Sequence, residues 1–292
     1  MADERSLSDW RGWGVCLALP AVVLVTFPPN LPRWTFMWTL AATIFARCKW
    51  LTWRRTTTPN VSIGRQLGYL FAWPGMDSTA FLHPNPAEVV RPDRAEWLFA
   101  GTKAAIGFAL LFTSLRLEIH PHLAGWLAMI GIVMTLHFGL FHLLSCAWRQ
   151  AGVNARPLMH WPIAAASVSE FWGQCWNRAF RDLTHRFIFR PLTTKFGPRW
   201  AIAGGFLFSG IIHDLVISVP ARGGYGGPTL FFAVQGVAIF VERSGWGRQI
   251  GLSSGWRGWL FTMMVLMTPI PCLFHSHFVL EIVVPFIQAI GG

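Results

Sequence analysis

The sequence predicts an all-α integral membrane protein with about eight transmembrane helices, and its composition is the main reason. Of its 292 residues, 53% are hydrophobic and only 13% are charged, with a mean hydropathy of +0.43. Soluble domains carry about 25% charged residues. Several apolar stretches approach or exceed the roughly 18 residues that a bilayer crossing needs. The 17 Trp and 24 Phe agree with this class, because aromatic rings collect at headgroup depth.

The basic residues orient these segments in the membrane. With the N-terminus in the cytoplasm, only Arg33, Arg116 and Arg222 of the 24 Lys and Arg residues fall on the far side. This positive-inside distribution predicts a multi-pass protein whose basic cytoplasmic face meets membrane lipids or an anionic substrate, and it argues against nucleic acid as the partner. The predicted spans cover residues 13–29, 34–51, 96–117, 123–147, 200–219, 228–241, 257–274 and 276–290, and the predicted cytoplasmic loops cover 52–95, 148–199 and 242–256.

The chain is predicted to form a single domain over residues 1–292. The first residues, MADERSLSDW, are acidic, which does not fit a cleavable signal peptide. The five cysteines are scattered without a C-x-x-C pair, so neither a disulfide framework nor structural zinc is expected. We expect the inner membrane if the source is bacterial and the endoplasmic reticulum if it is eukaryotic.

Two amphipathic helices are predicted at the cytoplasmic interface. The first covers residues 63–73. The second begins after Ser169 and ends at Pro191, and it carries an apolar and a polar stripe at helical spacing. The apolar stripe comprises Trp172, Trp176, Phe180, Leu183 and Phe187, and the polar stripe comprises Glu170, Gln174, Asn177, Arg181 and His185.

His213 is the first candidate for chemistry, because it lies well inside the fifth predicted span. Ionisable residues at that depth are costly and usually face a cavity or a partner. A histidine that only hydrogen-bonds to a neighbouring helix is the structural alternative. Asp214 points to another face of the helix, and we expect it to cap a nearby group. Asn177 is the second candidate, since an amide on the polar stripe can orient a carbonyl or a thioester.

The two candidates lie in segments that resemble known motifs. Residues 167–177, SVSEFWGQCWN, resemble the S-x-x-[DE]-F-W-G-x-x-W-N motif of wax synthases, which belong to the membrane-bound O-acyltransferase superfamily. Residues 209–215, SGIIHDL, are similar to that family's S-G-x-x-H-[DE]-L motif. Residues 231–237, followed by Glu242, resemble its next span. The resemblance extends over about residues 157–243.

The resemblance implies transfer of an acyl group from acyl-CoA, or another acyl thioester, to the hydroxyl of a lipophilic alcohol, giving an ester such as a wax ester. It implies that His213 is the catalytic residue and Asn177 its partner, beside an intramembrane reaction chamber. His213 would be the general base, and Asn177 would position the thioester or stabilise the oxyanion. Acyl-CoA is a co-substrate, and no cofactor or metal is expected. The residues expected to bind substrate are Arg178, Arg181, Arg186, Trp172, Trp176, Gln174 and Ser209.

Three alternative functions remain open. The H-x4-H spacing of His137 and His142 is typical of a di-iron desaturase or hydroxylase, although no further histidine box follows. Ser209 and His213 share a helix face, which would suit an intramembrane hydrolase, but there is no G-x-S-x-G elbow. A lipid or solute transporter is the non-enzymatic alternative, although we see no inverted halves. The acyl length, the acceptor and the oligomeric state are not predicted.

Overall fold

The computed structural model describes residues 10–56, 60–117 and 119–291, and these residues form helices and connecting loops without a β-strand. This confirms the predicted all-α class. The first half of the described chain contains six helices, which are α1 (Trp10–Thr26), α2 (Arg33–Arg54), α3 (Ile63–Phe71), α4 (Ser78–Leu82), α5 (Arg94–Arg116) and α6 (Pro121–Gln150).

The second half begins with three short helical segments and continues with longer helices. The short ones are α7 (Val168–Glu170), which continues as a π-helical turn over Phe171–Cys175, α8 (Arg178–Thr184), followed by a π-helical turn over His185–Phe189, and α9 (Arg190–Phe196). The remaining helices are α10 (Pro198–Ala221), α11 (Gly227–Arg243), α12 (Gly245–Gln249), α13 (Gly255–Leu273) and α14 (Ser276–Gly291).

Helices occupy all eight predicted span positions, but fewer meet the requirements for crossing a membrane. Among the described residues, α5, α6 and α10 are long and apolar enough, and α13 with α14 adds a fourth if this pair, bent by 59°, is one broken span. Helices α1 and α11 have 17 residues each, just under the usual minimum. Helix α2 has 22 residues, but Arg47 and Lys49 lower its hydropathy. Eight crossings therefore remain a prediction.

Small residues bring the long helices into close contact. A Cβ atom added to Gly131 of α6 would lie 2.7 Å from the backbone nitrogen of Leu111 in α5, and one added to Gly139 would lie 2.6 Å from the Cα atom of Ala104. In the same way, a Cβ atom on Gly210 of α10 would lie 2.7 Å from the Cα atom of Thr229 in α11. Such close backbone approach is typical of helix packing in membranes.

The predicted interfacial helix at residues 63–73 is present as α3. Its apolar residues Ile63, Leu67 and Phe71 are exposed by 75%, 50% and 82%, whereas Tyr69 on the opposite side is fully buried. Because Ile63, Leu67 and Phe71 recur every four residues, they form one uncovered apolar stripe along the helix. This geometry agrees with a helix that lies on a membrane surface.

The second predicted interfacial helix, from Ser169 to Pro191, is wrong in two respects. The helix is interrupted at Asn177, whose φ of 41° is left-handed and cannot continue an α-helix. Pro191 does not end the segment, because α9 continues to Phe196. The π-helical turn immediately before Pro191 lets the chain bend where the proline lacks its N–H donor.

Two contacts join segments that are distant in the sequence. The Arg33 guanidinium lies 2.9 Å from the Glu281 carboxylate and also donates to the carbonyl of Ala221. The Trp259 indole donates to the carbonyl of Ile163 over 2.8 Å. Arg33 and Ala221 are both predicted to lie on the far side, while the topology and the side that faces the cytoplasm stay predictions.

Candidate active site

A cavity of about 250 Å³ lies between the interrupted amphipathic segment and helices α10 and α11. Its wall is mostly apolar, and the predicted catalytic residues His213 and Asn177 both contribute to it. Four more of the predicted site residues also line this cavity, namely Trp172, Trp176, Arg181 and Ser209. The lining further includes His185 and Arg243.

His213 lies within α10, at the end of its first α-helical part and directly before a π-helical turn over Asp214–Ser218. Its Nδ1 atom lies 2.7 Å from the carbonyl oxygen of Ser209 in the same helix. Because a carbonyl can only accept, Nδ1 carries the proton, and Nε2 is the nitrogen with a free lone pair. The ring packs 4.5 Å, between centroids, from Phe232. No other described residue forms a hydrogen bond with this ring, and the ring lines the cavity.

The serine four residues before His213 does not form a hydrolase pair with it. The Ser209 hydroxyl donates to the carbonyl of Gly205 over 2.9 Å, one turn back along α10. The imidazole contacts the carbonyl of Ser209 and not its hydroxyl. Ser209 is therefore not activated by this histidine in the structure, and its small side chain forms part of the cavity wall.

Asn177 is positioned by the same interruption that breaks the predicted helix. Its side-chain Oδ1 accepts a hydrogen bond from the backbone N–H of Phe180 over 3.2 Å, so that Asn177 is the N-cap of α8. Asparagine tolerates the left-handed backbone and is among the best N-cap residues. With Oδ1 engaged, the Nδ2 group is the part of the amide left to donate to a group in the cavity.

Two carboxylates hold the elements around the cavity together. Asp214 accepts hydrogen bonds from Ser218 and from the backbone of Gly226 and Thr229, at 2.8 to 3.0 Å. It thereby ties α10 to the start of α11, which agrees with the predicted capping role. Fully buried Glu242 accepts from the backbone N–H groups of Val168 and Ser169 at 2.8 and 3.0 Å, and so it joins the end of α11 to the start of α7.

The first residues of the motif form a local cap that explains their spacing. The Ser167 hydroxyl accepts from the backbone N–H of Glu170 over 3.0 Å, and the Glu170 carboxylate accepts from the N–H of Ala166 over 2.8 Å. This reciprocal S-x-x-E arrangement resembles a capping box, which the spacing alone can indicate.

Buried Gln235 of α11 accepts from the Trp172 indole at 3.4 Å and donates to the carbonyl of Val265 at 2.9 Å.

The predicted arginines are separated by the structure. Arg181 lines the cavity with His213 and donates to the carbonyl of Gly173 over 2.8 Å and to Asp182. Arg178 instead lines a second, more polar cavity of about 200 Å³, which Arg181 also borders. Arg186 and the exposed Gln174 line neither cavity, and their binding roles stay predictions.

Burial shifts the pKa of several groups next to these cavities. Desolvation lowers the pKa of Arg178, and nearby Arg181 acts in the same direction. Burial also raises the pKa of Asp182, against the opposing effect of its hydrogen bond with Arg181. The pKa of the buried Cys175 thiol is raised by desolvation as well. A raised pKa disfavours the thiolate, and Cys175 does not line the cavity.

Sequence reasoning missed one cation at the cavity. The guanidinium of Arg243, at the end of α11, donates to the Ser169 hydroxyl from Nε over 3.1 Å and from Nη2 over 2.9 Å. Arg243 follows Glu242, which the motif resemblance already included. The sequence signal that could have identified Arg243 is its positive charge directly after Glu242.

The histidine spacing that suggested a di-iron enzyme does not form a two-histidine site. His137 stacks parallel to Trp176 with 6.5 Å between ring centroids. His142 instead contacts Glu96 through Nε2 at 2.9 Å and Lys103 through Nδ1 at 2.7 Å. Potential metal-binding atoms of Glu96, His142 and Cys146 lie within 4.8 Å of one another. Arg149 is hydrogen-bonded to the same carboxylate, so cationic side chains already occupy this cluster.

Comparison with known proteins identifies the segment that carries the cavity. A model described as "Membrane bound O-acyl transferase family" matches residues 155–234, which include Asn177 and His213. This confirms the resemblance predicted from the two motifs.

The similar proteins specify the branch of that family. The chain is 25% identical over 158 residues to a "Probable long-chain-alcohol O-fatty-acyltransferase 8" of Arabidopsis thaliana, covering 51% of the chain and 47% of the relative. It is 30% identical over 100 residues to a "Long-chain-alcohol O-fatty-acyltransferase" of Simmondsia chinensis, covering 31% of the chain and 28% of that relative. The matched regions thus span about half of one relative and about a quarter of the other, and the likeness is to the wax-synthase-like branch.

Proposed function

We propose that the protein is a membrane-bound acyltransferase that moves an acyl group from acyl-CoA to the hydroxyl of a lipophilic alcohol, giving an ester such as a wax ester. The observation that carries this proposal is the position of His213 and Asn177 on one apolar cavity with arginines at its lining. The names of the similar plant proteins support the alcohol as acceptor.

His213 is the general base in this proposal. A hydroxyl is a poor nucleophile until a base withdraws its proton during attack on the thioester carbonyl. The Nδ1–H bond to the Ser209 carbonyl holds the imidazole in the tautomer whose Nε2 can accept that proton. The alcohol oxygen then forms the new C–O bond, the C–S bond breaks, and the proton passes to the departing CoA thiolate.

Asn177 acts on the oxygen of the same carbonyl. Because its Oδ1 caps α8, the side-chain amide is held in one orientation and Nδ2 supplies the donor. A preorganised donor aimed at the developing oxyanion lowers the barrier. The neighbouring aromatic residues, Trp172 and Trp176 among them, provide an apolar environment for the acyl chain and the alcohol.

The arginines provide the complement to the phosphates of the donor. Arg181 borders both cavities, and Arg178 lines the more polar one. Among the described residues, no ion pair engages the Arg178 guanidinium, whereas Arg181 is paired with Asp182. A partly buried guanidinium favours a charge-assisted bond with a phosphate. With the basic face in the cytoplasm, as the charge distribution predicts, acyl-CoA would reach the cavity from that side.

Ester formation by the purified protein is the test. The protein in detergent or in vesicles is incubated with a panel of acyl-CoAs and of fatty, terpenoid and diglyceride alcohols, and the products are read by mass spectrometry. We expect an ester together with an equal amount of free CoA. Movement of donor or alcohol across vesicles without any ester would contradict the proposal and support the transporter alternative.

A further inference from the structure

Two glycines in the cavity wall occupy positions where the structure itself would accept a larger residue. Gly173, in the π-helical turn after α7, and Gly205, in α10, both line the cavity with His213. Neither is among the glycines whose φ is positive. A Cβ atom added to either one would have no heavy atom within 4 Å. Backbone conformation and helix packing therefore do not require glycine at these positions.

Glycine has a cost at such positions, because it is less favourable than alanine inside a helix. Other glycines of the chain show what usually justifies that cost. Gly210, in the same helix as Gly205, allows α11 to approach so closely that an added Cβ would lie 2.7 Å from the Cα atom of Thr229. Around Gly173 and Gly205 the space that a side chain would occupy is empty.

The position of Gly205 shows which part of the cavity this space belongs to. Four residues at every fourth position of α10 line the cavity, namely Ala201, Gly205, Ser209 and His213. This spacing places them on one helix face. With a rise of about 1.5 Å per residue, Gly205 lies about 12 Å along the helix from His213. Gly173 belongs to the part of the wall that the amphipathic segment contributes, and its carbonyl accepts from Arg181.

We propose that Gly173 and Gly205 keep the cavity wide enough for an extended, unbranched chain of the thioester donor to lie between them, so that they determine which donors reach His213. This inference rests on the proposed acyltransferase function. Two parts of an acyl thioester have the required shape, the acyl chain and the arm that links the thioester sulfur to the nucleotide of CoA. Both are flexible chains of about the width of a polymethylene, and each fits a passage with a glycine on either side.

The experiment compares side chains of increasing size at cavity and control glycines. Gly173 and Gly205 are each replaced by alanine and by leucine in the full-length protein. Gly101 of α5 is the matched control, because an added Cβ there also meets nothing within 4 Å and Gly101 does not line the cavity. Thermal unfolding gives Tm, and ester formation is measured with a series of acyl-CoA lengths and with the matching N-acetylcysteamine thioesters, whose carrier is much shorter.

We expect Gly205→Ala to raise Tm by a few degrees and yet to lower kcat/KM for the donor about threefold. Gly205→Leu and Gly173→Leu should lower it more than tenfold, while Gly101→Leu stays within twofold of the wild type. If the acyl chain occupies the passage, the loss grows with acyl length and persists with the short carrier. If the carrier arm occupies it, the loss is independent of acyl length and disappears with the short carrier.

Leucine variants that are folded and as active as the wild type with every donor would overturn the inference. Should the leucine variants not fold, alanine variants with wild-type kcat/KM for all donors would overturn it equally. The two proposals can fail separately. A folded wild-type protein that forms no ester contradicts the acyltransferase proposal, whereas an active wild type with indifferent glycine variants contradicts only the role of Gly173 and Gly205.

Discussion

His213 and His142 both lie within long apolar helices, and their surroundings differ in a way that separates the proposed base from a residue held in a hydrogen-bond network. Both ring nitrogens of His142 are engaged, one by Glu96 and the other by Lys103. The ring of His213 is held through Nδ1 alone, by a carbonyl of its own helix, and it borders a cavity. Depth in the membrane therefore does not distinguish the two residues. The difference is a ring nitrogen without a hydrogen-bond partner among the described residues, on a side chain that lines a cavity.

The Glu96 cluster has the features of a structural network. Arg149 is buried and donates to Glu96 and to the carbonyl of Val90 at 3.1 Å, while its Nε donates to Ser145 at 3.1 Å. Polar networks that are fully satisfied make a packing arrangement specific, and removal of one member leaves its partners unpaired. We therefore expect substitutions there to affect folding and substitutions at the cavity to affect turnover.

Replacing His213 with alanine should give the largest effect. Loss of a general base lowers the rate by at least about two orders of magnitude, while Tm changes little because the imidazole is held only by one carbonyl of its own helix. Ester formation by purified protein, normalised to the folded amount, is the measurement. Retention of more than a third of the activity would contradict the assignment. His142→Ala is the contrast, with a lowered Tm and near-normal activity of the folded fraction.

Asn177 has a structural and a proposed catalytic role, and two substitutions separate them. Aspartate keeps an acceptor for the Phe180 amide and tolerates a left-handed backbone, but it removes the Nδ2 donor. We expect Asn177→Asp to unfold near the wild-type temperature and to lose about tenfold to a hundredfold in kcat. Asn177→Ala should lose stability as well, by about 1 kcal/mol for a lost N-cap.

The Asn177 prediction can be contradicted in a simple way. If Asn177→Asp is as active as the wild type, the side chain is needed only to cap α8. In that case the oxyanion must be stabilised by another donor of the cavity wall.

The arginines should differ according to the cavity that each one lines. Arg178→Gln should raise the KM for acyl-CoA several-fold with little change in kcat at saturation, because contacts remote from the reacting carbon contribute mainly uniform binding. Arg186→Gln is the control, since Arg186 lines neither cavity. Added salt should weaken donor binding in the wild type more than in Arg178→Gln, as charges are screened within roughly 3 Å at 1 M salt. Equal KM values for the two variants would place the CoA phosphates elsewhere.

The smallest effect is expected at His185. This residue is exposed, lines the cavity and stacks on Phe189 with 5.6 Å between ring centroids. Its substitution by alanine should leave kcat/KM within about twofold of the wild type, as is usual for a surface position. A loss comparable with that of His213→Ala would make His185 a second candidate for the base, and the comparison of the histidines would have to include it.

The catalytic candidates could be predicted from the sequence because their signals are local. An ionisable residue inside an apolar span and two motifs in order identified His213, Asn177 and the capping role of Asp214. The course of the amphipathic segment could not be predicted, because its stripes continue across Asn177 at helical spacing. Only the left-handed φ of that residue reveals the interruption, which turns Arg178 toward a different cavity from Asn177.

The remaining features depend on contacts between distant parts of the chain. Arg243 is hydrogen-bonded to Ser169, 74 residues earlier, and only the folded chain brings these two positions together. The open space beside Gly173 and Gly205 is likewise a property of the packed helices. The number of crossings is the least determined feature. Within the part of the chain that the structure describes, length and hydropathy qualify three helices, or four with the bent pair, where the apolar segments predict eight.

Chemical rescue of His213→Ala by imidazole tests most directly whether a free ring nitrogen beside the cavity drives the reaction. Removal of the side chain enlarges a cavity of about 250 Å³, which leaves room for an imidazole molecule. We predict that imidazole restores part of the ester formation, that the restored rate saturates with its concentration, and that it depends on the neutral form, rising with pH around the pKa of imidazole. The same additive should leave His142→Ala unchanged. A folded His213→Ala protein that forms ester at the wild-type rate without imidazole, or whose rate stays equally low at every imidazole concentration and pH, would contradict the proposed role of His213.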